Sequence, residues 1–245
     1  MIDFTFGIVS SGSKDDNLNK IIDSIENQNI PNYEIIIVGN SEIKRKKTKL
    51  IQFDESIKTS WITKKKNIIT NHSQFENIVY LHDYIKFQDD WYEGFLKFGN
   101  NFDICMNKII NYDGTRYRDW CLCMWNDPNI PNIDGQYNKL ISEIVEPGMK
   151  CLLPYDEDRF TKHMYFSGAY WVAKKNVMLE FPLNEKLIWG QGEDVVWSME
   201  VRKKYNFSMN KYSAVELLKY KDTILNFADN ETIQKLSEKL LIPGN

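Results

Sequence analysis

The chain has 245 residues, 31 basic against 34 acidic side chains and a formal net charge of −3; 42% of its residues are apolar, 13% aromatic and 27% charged. That combination fits one globular domain with a single sizeable core and excludes an intrinsically disordered chain. Slight acidity also argues against a surface devoted to neutralising a phosphate backbone, so nucleic acid is not an expected partner.

No run approaches about eighteen consecutive apolar residues, and the opening MIDFTFGIVSSGSKDD carries Asp3 and no basic segment ahead of an apolar one. Neither a membrane span nor a signal peptide is expected, and the expected location is cytoplasmic, with peripheral membrane association left open. Cys105, Cys121, Cys123 and Cys151 include no CxxC pair. They read as reduced thiols rather than as a zinc site or disulfide staples.

Taken in chain order, Phe4 to Val9 reads as a strand. Leu18, Ile21, Ile22 and Ile25 mark one face of a helix, and Tyr33 to Val38 is a continuous β-branched strand. Apolar strands without strict alternation belong in a parallel sheet covered on both faces, so this is a βαβ unit. The pattern continues with a helix at Trp61 to Asn71, a strand at Asn77 to Leu81 and an amphipathic segment from Asp89 to Phe98. Asp103 to Asn111 reads as a further strand. Residues 112 to 165 are rich in Asn, Asp, Pro, Tyr and Trp and are expected to form an irregular insertion with short antiparallel pieces. Regularity returns with a strand at Phe166 to Ala173, a helix near Lys174 to Glu180, a glycine-punctuated turn at Trp189 to Gly192 and a helix from Glu193 to Lys204. The tail from Ala214 to Leu241 is helical in character.

In an open α/β sheet, ligands bind beyond the carboxyl ends of the strands. Three loops are therefore candidates: Ser10-Ser11-Gly12-Ser13, Gly39-Asn40-Ser41 and His82-Asp83-Tyr84. The first contains neither GxxxxGK[ST] nor GxGxxG, which removes a Walker-type cradle and a dinucleotide fingerprint. Phosphates would have to be held by a metal or by lysines.

The segments FGIVSSGSKDDNLNKIIDSIENQNIPNYEIIIVGNSE, WITKKKNIITNHSQFENIVYLHDYIKFQDDWYEGF, YFSGAYWVAKKNVMLEFP and WGQGEDVVW resemble the successive blocks of family 2, GT-A-fold glycosyltransferases. The resemblance spans residues 4 to about 205 and implies an α/β GT-A fold with a mostly parallel central sheet. It implies a transferase domain over 1–210, with the 112–165 insertion on the acceptor side and a helical tail over 211–245. It further implies transfer of a sugar from a nucleoside diphosphate-sugar, expected to be a UDP-sugar, to a saccharide or other hydroxyl acceptor with inversion.

By the same resemblance, Ser10 and Asn40 match the positions that hold base and ribose, although Asn40 stands where the family carries an acid. Asn40 can still hydrogen-bond a uracil or ribose edge, and Gly39-Asn40 can equally be a plain turn. Lys66 and Asn67 match a basic residue and Asn that face the nucleotide; a solvated face of Lys64, Lys65 and Lys66 is the alternative. Lys44-Arg45-Lys46-Lys47 with Lys49 reads as a solvated charge run.

His82-Asp83-Tyr84 stands where the family has its DxD metal signature. Asp83 is the expected ligand of Mn²⁺ or Mg²⁺, which one protein carboxylate and substrate phosphates can share; a loop-capping aspartate is the alternative. His82 is read as a second ligand, a ribose contact or a packed imidazole. In the acceptor-side block, Gly190 and Gly192 let backbone approach the sugar and Trp189 offers a stacking face. Asp194 is the candidate base for the acceptor hydroxyl, with Glu193 second, and both also suit the first turn of a helix. A nucleotide-sugar or carbohydrate-binding module without turnover is the rival function. A nucleotidyltransferase would need a glycine-rich, basic first loop, which is absent.

Overall fold

The computed structural model describes residues 1–12, 15–122, 151–223 and 226–241. Its first half is β1 (Phe4–Val9), α1 (Asp15–Glu26), β2 (Tyr33–Val38), β3 (Thr48–Ile51), α2 (Ile62–His72), β4 (Asn77–His82), β5 (Ile85–Phe87), α3 (Trp91–Phe98) and β6 (Ile104–Asn111). The second half comprises β7 (Cys121–Leu122), β8 (Cys151–Leu152), a single 3₁₀ turn at Thr161–His163, β9 (Met164–Tyr165), β10 (Tyr170–Lys174), α4 (Lys175–Glu180), α5 (Glu193–Val201), β11 (Phe207–Leu217), β12 (Asn226–Phe227) and α6 (Asn230–Leu240).

Eight strands form one sheet in the order β3-β2-β1-β4-β10-β6-β11-β5. β3, β2, β1 and β4 are mutually parallel, β10 runs antiparallel to both β4 and β6, and β11 is parallel to β6. The expected mostly parallel α/β sheet is therefore present. Because β10 alone is reversed among the central strands, its leading loop lies at the edge where β1, β4, β6 and β11 end.

Side chains alternate across β1, and each parity meets a different helix. Phe4 packs on Trp91 and Phe95 of α3, with ring centroids 5.0 and 5.1 Å apart. On the other face Gly7 comes so close to Ile69 of α2 that a Cβ would lie 2.3 Å from its Cγ2. The helices thus cover both faces, and every residue of β1 and β4 is buried. A second, four-stranded sheet, β12-β8-β7-β9, gathers the ends of the 112–165 region. In it β7 pairs antiparallel with β8 and β9, and β12 pairs parallel with β8, while residues 123–150, Cys123 among them, lie outside the described residues. Cys105, Cys121 and Cys151 are buried.

One expectation is corrected here, and the solvated reading of the basic run, whose Lys44, Lys46, Lys47 and Lys49 are exposed, is not. The tail is not helical from Ala214: the chain runs as a strand through Leu217 in the central sheet, and the described helix of this region is Asn230–Leu240. The pairing of β11 with β6 shifts register between Asn210 and Ala214, and this irregularity breaks the two-residue alternation by which a strand is read. The basic run at 44–49 includes the start of edge strand β3. Arg45 pairs with Asp23 and Glu26 at 2.7 Å, and the Lys47 ammonium lies 4.0 Å from the Tyr33 ring centroid.

Trp91 is fully buried among Phe4, Phe6, Phe87 and Phe95, and its indole N–H donates to the Tyr170 hydroxyl at 3.0 Å. Trp91→Ala is expected to destabilise the fold by about 3–5 kcal/mol, read as a lower urea midpoint at unchanged slope. A loss below about 1 kcal/mol would show that this cluster does not hold the sheet to α3.

Candidate active site

At the carboxyl edge, the loops after β1 and β2 touch because glycines allow it. A Cβ on Gly39, whose φ is 155°, would lie 2.3 Å from the Ser10 carbonyl oxygen. The loop after β4 closes against the same segment. Ser10 Oγ donates to Asp83 Oδ2 at 3.0 Å, the Ser11 amide donates to the same oxygen at 3.3 Å, and Asn17 Nδ2 donates to the Asp83 carbonyl at 3.1 Å. Ser10 and Asp83 are both buried.

Two neighbouring cavities open here. The larger, about 370 Å³, is lined by Ser10, Ser11, Lys65, Asp83, Lys219 and others. The smaller, about 180 Å³, is lined by Tyr117, Arg118, Tyr165, Gly168, Glu193, Asp194 and others. His82, Tyr84, Trp189 and Lys221 belong to both walls. The two cavities therefore adjoin along these four residues.

Lys65 and Lys66 follow each other in α2 and both are buried, so the solvated-face alternative fails for them. Lys65 Nζ donates to the Ser10 carbonyl at 2.7 Å and pairs with Glu55 on the wall of the larger cavity. Lys64 is half-exposed and pairs with Glu185 at 3.0 Å. Lys66 does not face the larger cavity. Its ammonium donates to the Gly168 carbonyl at 2.7 Å and lies 4.1 Å from the Trp171 ring centroid. Burial lowers its pKa to about 8, against the opposing pull of the Glu193 and Asp194 charges.

Asn67 is a structural clamp. Its Nδ2 donates to the Leu183 carbonyl at 2.9 Å and to Glu185 Oε1 at 3.0 Å, and its Oδ1 accepts the Leu183 amide at 3.0 Å. Asn40 is exposed and lies against Gly12, without lining either cavity. Of the expected nucleotide contacts, Ser10, His82 and Asp83 come together at the larger cavity; Lys66, Asn67 and Asn40 do not.

The acceptor-side block forms the rim of the smaller cavity. Trp189 is 62% exposed, and Gly190 and Gly192 take φ of 83° and 68°. Gly192 caps α5, leaving Glu193 and Asp194 in the first turn. Asp194 Oδ2 accepts the Gly168 amide at 2.7 Å and Oδ1 accepts the Val195 amide at 2.9 Å. The Gly168 peptide is thus held at both ends, by Lys66 through its carbonyl and by Asp194 through its amide. Glu193 is 4% exposed; burial first, then the Asp194 charge, raise its pKa to about 7 against the pull of Lys66.

His82 is buried, and desolvation, reinforced by Lys66 and Lys221, holds its pKa well below the ordinary value, leaving the ring neutral. Tyr84, tilted against it at 5.4 Å, accepts a hydrogen bond from Lys221 Nζ at 2.7 Å through its hydroxyl oxygen. The ammoniums of Lys219 and Lys221 lie 4.5 and 4.0 Å from the Tyr84 ring centroid. Lys65, Lys219, Lys221, Tyr117 and Arg118 are site-lining residues that sequence reasoning missed. A Lys-Tyr-Lys run directly beyond a strand end would have pointed to two of them, had β11 been read as a strand.

Among the described residues no group of three His, Cys, Asp or Glu side chains could hold a metal ion on its own. The donor set fits a divalent cation only as a shared one, with Asp83 supplying a carboxylate and a substrate the remaining oxygens. No helix among the described residues is long and apolar enough to cross a membrane.

No family description matches the chain, and no curated protein does. Similar solved structures are those of S. aureus TarS. The 1–349 fragment gives a TM-score of 0.54 at 11% identity, covering 87% of this chain and 60% of that one. Its UDP complex gives 0.53 at 10% identity, covering 100% and 67%, and its UDP-GlcNAc complex 0.56 at 11%, covering 100% and 68%. The present chain thus spans 60% of the length of the first of these structures. At such identity the likeness is one of fold, and with the sheet order above the fold is GT-A-like, the nucleotide-sugar transferase type.

The raised pKa of Glu193 carries a stability consequence. Its folded value, about 7, exceeds the ordinary 4.5, so its contribution to folding is fully present below the ordinary value and is lost as pH rises through about 7. Glu193→Gln is expected to lose less thermal stability than the native chain between about pH 5 and about pH 8. Parallel melting-temperature profiles for the two would remove Glu193 as the buried titrating group.

Proposed function

We propose that the protein is an inverting glycosyltransferase that moves a sugar from a UDP-sugar to a hydroxyl acceptor. The observation that carries this reading is the pair of joined cavities: one lined by the first strand loop and several cations, the other by two adjacent carboxylates, with His82, Tyr84, Trp189 and Lys221 between them. A nucleoside diphosphate fits the first, and the anomeric carbon then falls near the shared wall. The UDP and UDP-GlcNAc complexes of TarS support the choice of nucleotide through fold alone.

In this reading Glu193 holds the proton of the carboxylate pair, and Asp194 receives the proton of the acceptor hydroxyl. The acceptor oxygen attacks the anomeric carbon, the bond from that carbon to the diphosphate oxygen breaks, and its electron pair leaves with UDP. Attack from the side opposite the leaving group inverts the centre. Lys219 and Lys221 face the developing phosphate charge, and Ser10 holds Asp83 in place. A Mg²⁺ or Mn²⁺ ion shared by Asp83 and the phosphates would add Lewis-acid charge stabilisation there. Trp189, Gly190 and Gly192 border the acceptor.

Asp194→Asn is expected to lower kcat by on the order of 10²- to 10⁴-fold with little change in UDP affinity. Glu193→Gln, which mimics the protonated form, is expected to keep most of kcat and raise the acceptor KM. Exchanged phenotypes would make Glu193 the base. A second expectation concerns the leaving group: Lys221→Met weakens UDP binding by roughly tenfold, as loss of a charge-assisted contact should, with calorimetry as the readout. Asp83→Ala measured with and without Mn²⁺ tests the shared cation, and an unchanged metal effect would remove Asp83 as ligand.

Asp83 is the one acid of the His82-Asp83-Tyr84 stretch, and Asn40 lines neither cavity, features that favour a binding module as the second reading. Slow release of UDP from UDP-sugars decides for the enzyme. Tight binding without turnover, acceptors included, decides for the module.

A further inference from the structure

Arg118 follows β6 at the carboxyl edge and lines the smaller cavity. Its Nε is buried without a hydrogen-bond partner, and among the described residues the side chain makes no ion pair. Its guanidinium carbon lies 5.6 Å from the Tyr117 ring centroid, within cation–π reach, a contact that offers the charge a ring face and gives the N–H no oxygen acceptor. The neighbouring Arg116 behaves differently: its Nε donates to Asp119 at 2.6 Å and its Nη2 to the Trp120 carbonyl at 3.2 Å. Two arginines two residues apart thus have opposite fates, one consumed by the fold and the other left facing a cavity.

Burying a guanidinium N–H without a partner is unfavourable unless a bound group supplies one. A guanidinium presents paired N–H groups that match the two oxygens of a carboxylate or phosphate, a geometry a lysine cannot reproduce. A neutral sugar hydroxyl accepts one such bond and leaves the charge uncompensated. Lys221 on the same wall adds a second cation, and together the two offset the acidic pair Glu193 and Asp194, which would otherwise repel an anion. The hydroxyl-bearing rings of Tyr84, Tyr117 and Tyr165 complete a wall suited to a sugar.

We propose that the smaller cavity contains an oxyanion subsite at Arg118, so that one of the two saccharides brought together there carries a carboxylate or a phosphate. This rests on the glycosyltransferase reading for its substrates, but not for the subsite itself. The anion can be borne by the transferred sugar or by the acceptor, and calorimetry separates the two. In the first arm UDP, UDP-glucose and UDP-glucuronate are titrated into the native chain and into Arg118→Gln and Arg118→Lys. In the second arm glucose, glucuronate and glucose 6-phosphate are titrated with and without saturating UDP.

A donor-borne anion predicts that UDP-glucuronate binds on the order of 10- to 100-fold more tightly than UDP-glucose, the range of a charge-assisted hydrogen bond. An acceptor-borne anion predicts the same preference for glucuronate or glucose 6-phosphate over glucose. In either case Arg118→Gln abolishes the preference, Arg118→Lys restores only part of it, and affinity for UDP itself stays within about twofold, because Arg118 does not line the larger cavity. Absence of any anionic preference in both arms overturns the subsite, as does a preference that survives in Arg118→Gln. Failure of UDP to bind counts against the glycosyltransferase reading instead, and the small-sugar arm without UDP still decides the subsite.

Discussion

The site depends on one buried ammonium. Lys66 has no exposed surface, and a charge in that position is tolerable only if its protons are met and its field is balanced. The Gly168 carbonyl meets it at 2.7 Å, the Trp171 ring lies over it, and the Glu193–Asp194 carboxylate pair, which shares a proton, supplies the opposing charge. These partners come from three places far apart in the chain: α2, the loop that leads into β10, and the first turn of α5. Removing any one leaves either a buried cation or a buried carboxylate uncompensated, which couples the placement of the three elements.

The reversed strand is what makes the arrangement work. In a wholly parallel sheet only strand ends and the loops that follow them reach the ligand edge. Because β10 runs antiparallel to β4 and β6, the segment Ser167-Gly168-Ala169 enters that edge from the other direction, between the ends of its neighbours. There it binds Lys66 on one side and Asp194 on the other, while the Ala169 carbonyl accepts the His82 amide at 3.1 Å. A side chain at Gly168 would lie 3.1 Å from Asp194 Oδ2 and 3.2 Å from Glu193 Oε1. A Cβ at this position would crowd the carboxylate pair, and backbone conformation makes no separate demand for glycine.

Legibility in the sequence follows the same physics. β1, α1, β2, β4 and β6 were readable because each carries an uninterrupted apolar run or a clear helical face, and the edge they share located the crevice. The strand β11 was not, since its register shift near Asn210 hides the alternation and its exposed Lys211 and Tyr212 read as surface. With it went Lys219 and Lys221, whose position at the ligand edge is visible only once β11 is placed beside β6. The burial of Lys65 and Lys66 is hidden for a different reason. Three consecutive lysines in a helix ordinarily face solvent, and nothing local announces that the loop before β10 and the β1 loop carbonyl will arrive to bind two of them.

Arg116 and Arg118 set the limit of such reading. They share a segment, a charge and a spacing that put both on the same side of an extended chain, yet Arg116 is spent on Asp119 and Trp120 while Arg118 keeps a buried N–H directed at no protein acceptor. What separates them is the position of Asp119. Its buried carboxylate also accepts the Ile109 amide at 3.1 Å and the Tyr155 hydroxyl at 2.9 Å, and so is fully occupied in tying the β6 end to the segment beyond β8. One acid cannot serve two guanidiniums once it is committed in this way. The surplus cation is therefore a consequence of how the insertion is fastened, and its place in the cavity wall turns that consequence into a means of recognising charge on a substrate.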